Sequence, residues 1–476
     1  MALQHTPPPT LRHSQRWLFL AILSLGLFMV GVDNSILYTA LPTLEAQLNT
    51  TELQGLWTIN AYPLVVSALL LGTGTLGDKI GHRRMFDIGL LIFGTASAIA
   101  AFSPNPATLI TARGLLGIGA ATLMPATLAL LRHTFTDVRE RNIAIGIWGS
   151  VATLGAAIGP LIGGLLLEHF WWGSVFLINV PVVIFTLIAT FALGPANQPN
   201  QSKQWDFLSS FYAMIAMAGL VIIIKEFAHA PTDYLVLGCA LIAALIAGVL
   251  FQRRQATLAQ PTLSWDIFNN RLLVVGVTGA GFGMFVLAGT ELLTTQRMQI
   301  TQHFSPLEAG LLVASGALAA FPTSVLGGAI LHRVGFTPLI AGGFFVMSTG
   351  TGLIAFGPAT LSTIIAGLVL TGAGAGLVMS VTSTAIIGSA PASRSGMASS
   401  VEAVSYEFGT LLSVAILGSL SPWFYNRYLN TQPSAPAYDA AYFSTITIAA
   451  LAALSAAVLT VIIIKGNPKE TEYAHE

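Results

Sequence analysis

Fourteen apolar stretches, each long enough to cross a bilayer, follow one another along this chain with only short polar intervals between them. They occupy residues 17–40, 55–76, 85–104, 106–130, 143–167, 171–194, 207–224, 233–251, 272–294, 309–331, 337–356, 359–383, 397–420 and 441–464. A helix needs roughly 17–25 residues to cross the hydrocarbon core, where every backbone N–H and C=O must find its partner within the chain. Only 8% of the 476 residues are charged and 54% are hydrophobic, whereas about a quarter are charged in soluble domains. The expected fold is therefore all-α and integral to a membrane. An even number of spans returns both termini to one side, and the basic residues say which. Sixteen of the 20 Lys and Arg residues fall on the side of the termini, while Lys225, Arg297 and Arg427 fall on the other and Arg113 is embedded. Positively charged loops stay inside, so both termini are expected in the cytoplasm. The first apolar segment follows a short polar tail without a small-residue cleavage site, which predicts a retained helix.

These features exclude several classes. The net charge is zero and no basic patch offers a nucleic-acid surface. Cys239 is the only cysteine, so an internal disulfide and a thiolate metal cluster are both ruled out. The histidines are scattered at loops and helix ends, without metal-ligand spacing, and no nucleotide-binding loop appears. A membrane-embedded enzyme or a receptor-like binding protein is the reading from another class, and it lacks a cluster of catalytic groups. No metal and no cofactor are expected.

An internal repeat divides the chain. Gly74, Lys79 and Gly81, between spans 2 and 3, recur as Gly328, Arg333 and Gly335, 254 positions later between spans 10 and 11. Gly117 and Gly119 in span 4 find Gly372 and Gly374 in span 12 at nearly the same offset. Parallel repetition on this scale predicts two pseudo-symmetric six-helix bundles with a midplane site between them. The expected organisation is a tail at 1–16, a bundle at 17–195, a two-helix insert at 196–270, a second bundle at 271–465 and a tail at 466–476.

Charges inside the spans mark the site. A buried arginine at a helix centre costs at least about 2.5–3.5 kcal/mol, so Arg113 needs a partner. Asp33 in span 1 lies at the same depth, roughly 10–12 Å below the outer face at 1.5 Å per residue, and the two are expected to pair. Span 13 carries Glu402 and Glu407; five positions apart, they point about 140° away from each other, and Glu407 is the deeper. Glu291 and Asp87 lie closer to span ends and read as interfacial. Tyr38, Trp57, Tyr62, Phe282, Phe285 and Tyr406 are aromatic candidates for holding a lipophilic cation by cation–π attraction, with Asn60 a neutral neighbour. In span 5, Gly155, Gly159, Pro160, Gly163 and Gly164 clear a face for close contact with another helix.

Several of these segments resemble those of the major facilitator superfamily. Its hallmark loop is similar to Gly74-Thr-Leu-Gly77-Asp78-Lys79-Ile-Gly81-His82-Arg83-Arg84, with His82 where the family usually has arginine. The resemblance implies a cytoplasmic latch in which Asp78 pairs with arginines of the neighbouring loop, Arg139 and Arg141. Arg113-Gly-Leu-Leu-Gly117-Ile-Gly119 resembles the family's proton-relay segment, and Asp33 to Pro42 resembles the first-span motif of its fourteen-span drug:proton antiporters. The stretch Val401 to Gly409 is similar to the acidic span-13 motif of quaternary ammonium and methyl viologen efflux pumps. The run from Gly155 to Gly164 resembles the antiporter motif of exporters, and Trp172 to Pro181 continues the match. Taken together, the resemblance implies proton-coupled export of hydrophobic, mainly monovalent cations across a bacterial inner membrane, by alternating access. Asp33, Glu407, Arg113 and Glu402 would couple protons to cargo, and Asp33 and Glu407, with Asn60 and the aromatics, would bind it. The expected partners are protons, lipophilic cations and membrane lipids, with the proton motive force as energy source and a monomer as the working unit. The alternative is proton-coupled export of an endogenous metabolite, such as a siderophore, amino acid or lipid.

Overall fold

The computed structural model describes residues 12–200, 205–228, 232–258, 261–263, 265–389 and 395–464. Among these residues the regular structure is helical: α1 (His13–Leu48), α2 (Glu52–Ile80), α3 (His82–Ala101), α4 (Pro106–Thr134), α5 (Val138–His169), α6 (Ser174–Leu177), α7 (Asn179–Leu193), α8 (Phe207–Ala228), α9 (Tyr234–Thr257), α10 (Arg271–Ile300), α11 (Pro306–Val334), α12 (Phe336–Phe356), α13 (Leu361–Gly388), α14 (Ser395–Leu429) and α15 (Ser434–Ile464), with one 3₁₀ turn at Trp265–Asn269. Thirteen crossings are long and apolar enough by length and composition, and α5, whose Leu154–His169 part is a further apolar helix, supplies the fourteenth. Most of the tails expected at 1–16 and 466–476 lies outside the described residues.

The helices are longer than their apolar cores because their ends are capped. The Thr51 side chain accepts from Gln54 N–H, Asn105 accepts from Thr108 N–H ahead of Pro106, and Ser305 and Glu308 form a reciprocal box at the start of α11. Each of these caps satisfies N–H groups that a helix start otherwise leaves free. Span 6 is not one continuous helix. Pro181 has no N–H to offer the Leu177 carbonyl, and the chain breaks there into α6 and α7. The turns after α2 and α11 share another feature. Gly81 and Gly335, the repeat-related glycines, both have positive φ, +93° and +85°, a region closed to other residues except at a cost.

The helices sort into two bundles. Helix α1 packs on α5, α2 and α3 on α4, and α7 on α1 and α3; likewise α13 packs on α11 and α12, α15 on α12, and α10 on α13, α14 and α15. The bundles meet along α5–α11 and α2–α14. Between them, α8 and α9 pack on each other; α8 also touches α2 and α14, whereas α9 turns almost all of its apolar surface outward.

Contacts across the seam are dense at one end of the molecule. Thr295 Oγ1 donates to Tyr38 O at 2.8 Å, and Gln299 Nε2 donates to Thr39 O at 3.0 Å. At the same end Gly164 abuts Pro306 and Leu307, Gly310 abuts Pro160, and Gly418 faces Leu56. The opposite end carries Arg16, Lys79, Arg83, Arg84, Arg132, Arg141, Arg254, Arg271 and Arg333, and is called the basic end below. Two residues expected in loops of the sealed end are instead buried in helices. Lys225 is a residue of α8, and Arg297 of α10 is held by Asp439 at 2.7 Å. The apolar runs end before the helices do, so a charge one turn past the last aliphatic residue still lies inside the protein.

Candidate transport site

Five helices converge on Asp33. Its carboxylate and the Arg113 guanidinium are both fully buried and form an ion pair through Oδ2 and Nη1. The other carboxylate oxygen accepts from Asn179 Nδ2 at 3.0 Å, and the same amide donates to Ser97 Oγ at 3.2 Å. Arg113 Nε donates to Thr58 O at 3.2 Å, and the guanidinium lies 4.6 Å from the centre of the Tyr62 ring. The expected pairing of Asp33 with Arg113 is therefore present, with α2, α3 and α7 each adding a contact. Asn179 follows from the helix break: it opens α7, just ahead of Pro181, and so aims its amide into the bundle. Its place in the Trp172–Pro181 segment is visible in sequence, whereas its partner is not.

Several buried polar groups of α2, α4 and α14 have no hydrogen bond among the described residues. Arg113 Nη2, the Tyr62 hydroxyl, both amide atoms of Asn60 and Glu407 Oε2 are all buried in this state. An unmatched buried polar atom is costly, and such atoms gathered in one place mark a site built for a ligand or a proton. Glu407 sits within electrostatic reach of Arg113, and Tyr38 within reach of Glu291, Glu407 and Arg113. Asp33, Arg113, Tyr38, Tyr62 and Glu407 are thus joined by ion pair, ring contact or electrostatic reach between the bundles, while Asn60 is fully buried on α2 and no contact ties it to them among the described residues.

The other expected site residues lie elsewhere. Glu402 accepts from Tyr406 Oη at 3.3 Å, and Tyr406 Oη also approaches Met379 O at 3.3 Å. Tyr406 packs against Ala280, Ile386 and Ala398, and Phe282 and Phe285 pack on apolar clusters of the C-terminal bundle. Two aromatic faces already hold cations of the protein itself. Tyr62 takes Arg113, and Trp57 takes Lys225 Nζ at 4.5 Å. Lys225 Nζ has no hydrogen-bond partner among the described residues. Nothing in the hydropathy of span 7 signals that contact, since a lone lysine after Ile222-Ile223-Ile224 reads as the end of a helix.

At the basic end, Asp78 Oδ1 bonds His82 Nε2 at 2.9 Å, one helical turn away. Arg83 closes the C-terminal end of α7, donating to Thr190 O, Gly194 O and Pro195 O at 2.8–3.2 Å. Arg84 and Lys79 are exposed, and Gly74 has open space around it. Arg141 is half-buried, and the Arg139 side chain lies outside the described residues. The glycine run packs as its spacing requires. Gly155 lies on Phe28 and Gly31, Gly159 on Val32 and Ser35, and Gly163 on Ile36, all of α1, while Gly164 and Pro160 face α11. One helix face thereby holds its own bundle together, and the neighbouring face meets the other bundle.

A protein-family model described as Major Facilitator Superfamily matches residues 23–296 and 272–475. The chain is 34% identical over 425 residues to the multidrug efflux pump LfrA of Mycolicibacterium smegmatis, covering 89% of this chain and 84% of that protein. It is 36% identical over 408 residues to the methyl viologen resistance protein SmvA of Salmonella typhimurium, covering 85% and 82%. In fold it is similar to a bacterial homologue of the human lysosomal transporter Spinster, solved in an inward-facing and unoccupied conformation, with a TM-score of 0.64 at 16% identity over 98% of both chains.

Proposed function

This chain belongs to the Major Facilitator Superfamily, and on that footing we propose that it is a proton-coupled multidrug exporter of hydrophobic cations in a bacterial inner membrane. The observation that carries the proposal is the Asp33–Arg113 pair, buried among five helices, with Glu407, whose Oε2 has no hydrogen bond among the described residues, within electrostatic reach of Arg113. The similarity to LfrA and SmvA supports the choice of drugs over an endogenous metabolite as cargo. The basic end faces the cytoplasm, by the rule that positive segments stay inside. The sealed end then faces outward.

In this reading Arg113 is shared between two acids. While Asp33 is ionised it holds Arg113, leaving Glu407 to attract a cation. When the bundles rock and Asp33 takes up an external proton, Arg113 is freed to compete for Glu407 and the cargo leaves. Return of the proton to the cytoplasmic side restores the pair. A proton moving inward gains about 2.3 kcal/mol per 100 mV of membrane potential and a monovalent cation moving outward costs as much, so a one-for-one exchange is driven by the pH component of the proton motive force. Asn60, fully buried on α2, adds no negative charge of its own to the site. A monomer contains every group the scheme uses, and membrane lipids are its surroundings.

The test is ethidium efflux from energised vesicles. Asp33→Asn and Glu407→Gln should each lose proton-dependent transport. Undiminished, gradient-dependent efflux by Asp33→Asn would overturn the role of the pair.

A further inference from the structure

By its place in span 9 Glu291 reads as interfacial, and the structure puts it elsewhere. Helix α10 continues to Ile300, beyond the last aliphatic residues of its span, so Glu291 lies more than two turns inside it. Its neighbours on the wheel define its direction. Thr295 and Gln299, one and two turns further along, bond α1 across the seam, and Ala288, one turn back, is buried in the cluster formed mostly by the N-terminal bundle. Glu291 shares this stripe, since residues three and four apart lie on one face of a helix. The residue is nevertheless partly exposed, one turn to the basic side of the Thr295–Tyr38 bond. Among the described residues its carboxylate oxygens have no ion-pair or hydrogen-bond partner. On the facing helix α1, Tyr38 lies within electrostatic reach of Glu291, and also of Arg113 and Glu407.

The spacing of the two unpaired acids can be read from the packing of α10 on α14. These helices run parallel in constant register: Gly281 meets Gly409, Phe285 O accepts from Ser413 Oγ at 2.6 Å, and Gly289 meets Leu417. Glu291 lies six residues past the Phe285–Ser413 level and Glu407 six before it. At 1.5 Å per residue their attachment points are about 18 Å apart along the bundle axis. Asp33, five residues before Tyr38 on α1, lies close to the level of Glu291, four before Thr295 on α10, and its charge is paired with Arg113.

We propose that Glu291 is a specificity-determining residue of the transport site, the counter-charge for the second positive centre of an elongated dication whose first centre is held at Glu407. The inference rests on the export reading above and extends it to cargo charge. Glu291 adds a negative charge from α10 of the C-terminal bundle. A compact monocation needs only one of the two carboxylates. A long dication with a flexible apolar chain between its charges spans both, and neither end is left unpaired in a medium where that is costly.

The experiment is transport into proteoliposomes under an imposed pH gradient, with decamethonium and tetraphenylphosphonium as the two probes. Wild type should carry both. Glu291→Gln should lower the ratio of decamethonium to tetraphenylphosphonium transport about tenfold or more, as expected when one partner of a buried charge pair is removed. Glu291→Asp, which keeps the charge on a shorter arm, should restore part of the ratio and controls for folding. An unchanged ratio in Glu291→Gln, or a wild type that carries tetraphenylphosphonium but not decamethonium, overturns the role of Glu291 and leaves the export reading standing. A wild type that carries neither cation while holding the gradient overturns both.

Discussion

The residue that decides the energetics of the core is Arg113. With its charge fully buried, it is tolerable only because Asp33, Thr58 O and the Tyr62 ring surround it. Removing one member of a buried pair leaves the other charge stranded, which typically costs about 3–5 kcal/mol, whereas losing one hydrogen bond to a charged group costs about 1.5–3 kcal/mol. Arg113→Met should therefore destabilise the detergent-solubilised protein more than Asn179→Ala, and the double variant Asp33→Asn/Arg113→Met should recover much of the loss. Thermal unfolding followed by tryptophan fluorescence checks the order, and equal shifts for both single variants would contradict it. A buried arginine demands a counter-charge, and Asp33 and Arg113 share one depth, so this pair was legible in the sequence. Asn179 was not, because its direction depends on where Pro181 interrupts span 6.

At the scale of elements, backbone conformation and side-chain space make separable demands. Gly335 has nothing around it that a methyl group would strike, yet its φ of +85° is strained for any other residue. Gly342, inside α12, is equally open and helical. Gly335→Ala should cost about 1–3 kcal/mol and Gly342→Ala should gain roughly 0.5–1 kcal/mol, both read as shifts in the unfolding midpoint. The repeat in the sequence aligned Gly81 with Gly335 without giving this reason for it; the shared positive φ now does. The two-helix insert was legible only as an insertion between repeats. Its ends are tied by Arg254 of α9, whose guanidinium reaches Asp206 at 2.8 Å, while Ser209 Oγ donates to the same carboxylate. Partial burial pushes the Asp206 carboxyl up, but the hydrogen bonds from Ser209 and Arg254 and the Arg254 charge outweigh it, holding it below the ordinary 3.8. A depressed carboxyl stabilises the fold above its unfolded value and loses that contribution as the pH falls through its folded value. Asp206→Asn should therefore unfold more easily than wild type at pH 7 and converge with it in acid below pH 3.8. A difference that persists unchanged into acid would mean that packing, not charge, is what Asp206 supplies.

For the whole molecule the question is which contacts must break in each cycle. Fourteen spans, the repeat and the glycine run made the two bundles and the insert legible, but hydropathy carries no record of which end of the seam is closed. That information lies in pairs from distant parts of the chain: Thr295 with Tyr38, Gln299 with Thr39, and Leu56 with Gly418. All of them join one bundle to the other at the end opposite the basic residues. If transport requires the bundles to rock, these contacts have to separate once per turnover, whereas the Gly155, Gly159 and Gly163 contacts with α1 stay within one bundle and do not. Covalent links at the two kinds of contact should therefore act differently. The exposed Cys239 is first replaced by alanine to leave no competing thiol. Leu56→Cys with Gly418→Cys should then form a disulfide on oxidation, stop ethidium efflux, and regain it when reduced. Gly327→Cys with Leu377→Cys, a pair inside the C-terminal bundle where an added Cβ meets no atom closer than 3.3 Å, should leave efflux largely intact when oxidised. Full transport by a completely cross-linked Leu56→Cys/Gly418→Cys protein would show that the seam at this end does not open during the cycle, and with it the alternating-access mechanism would fall.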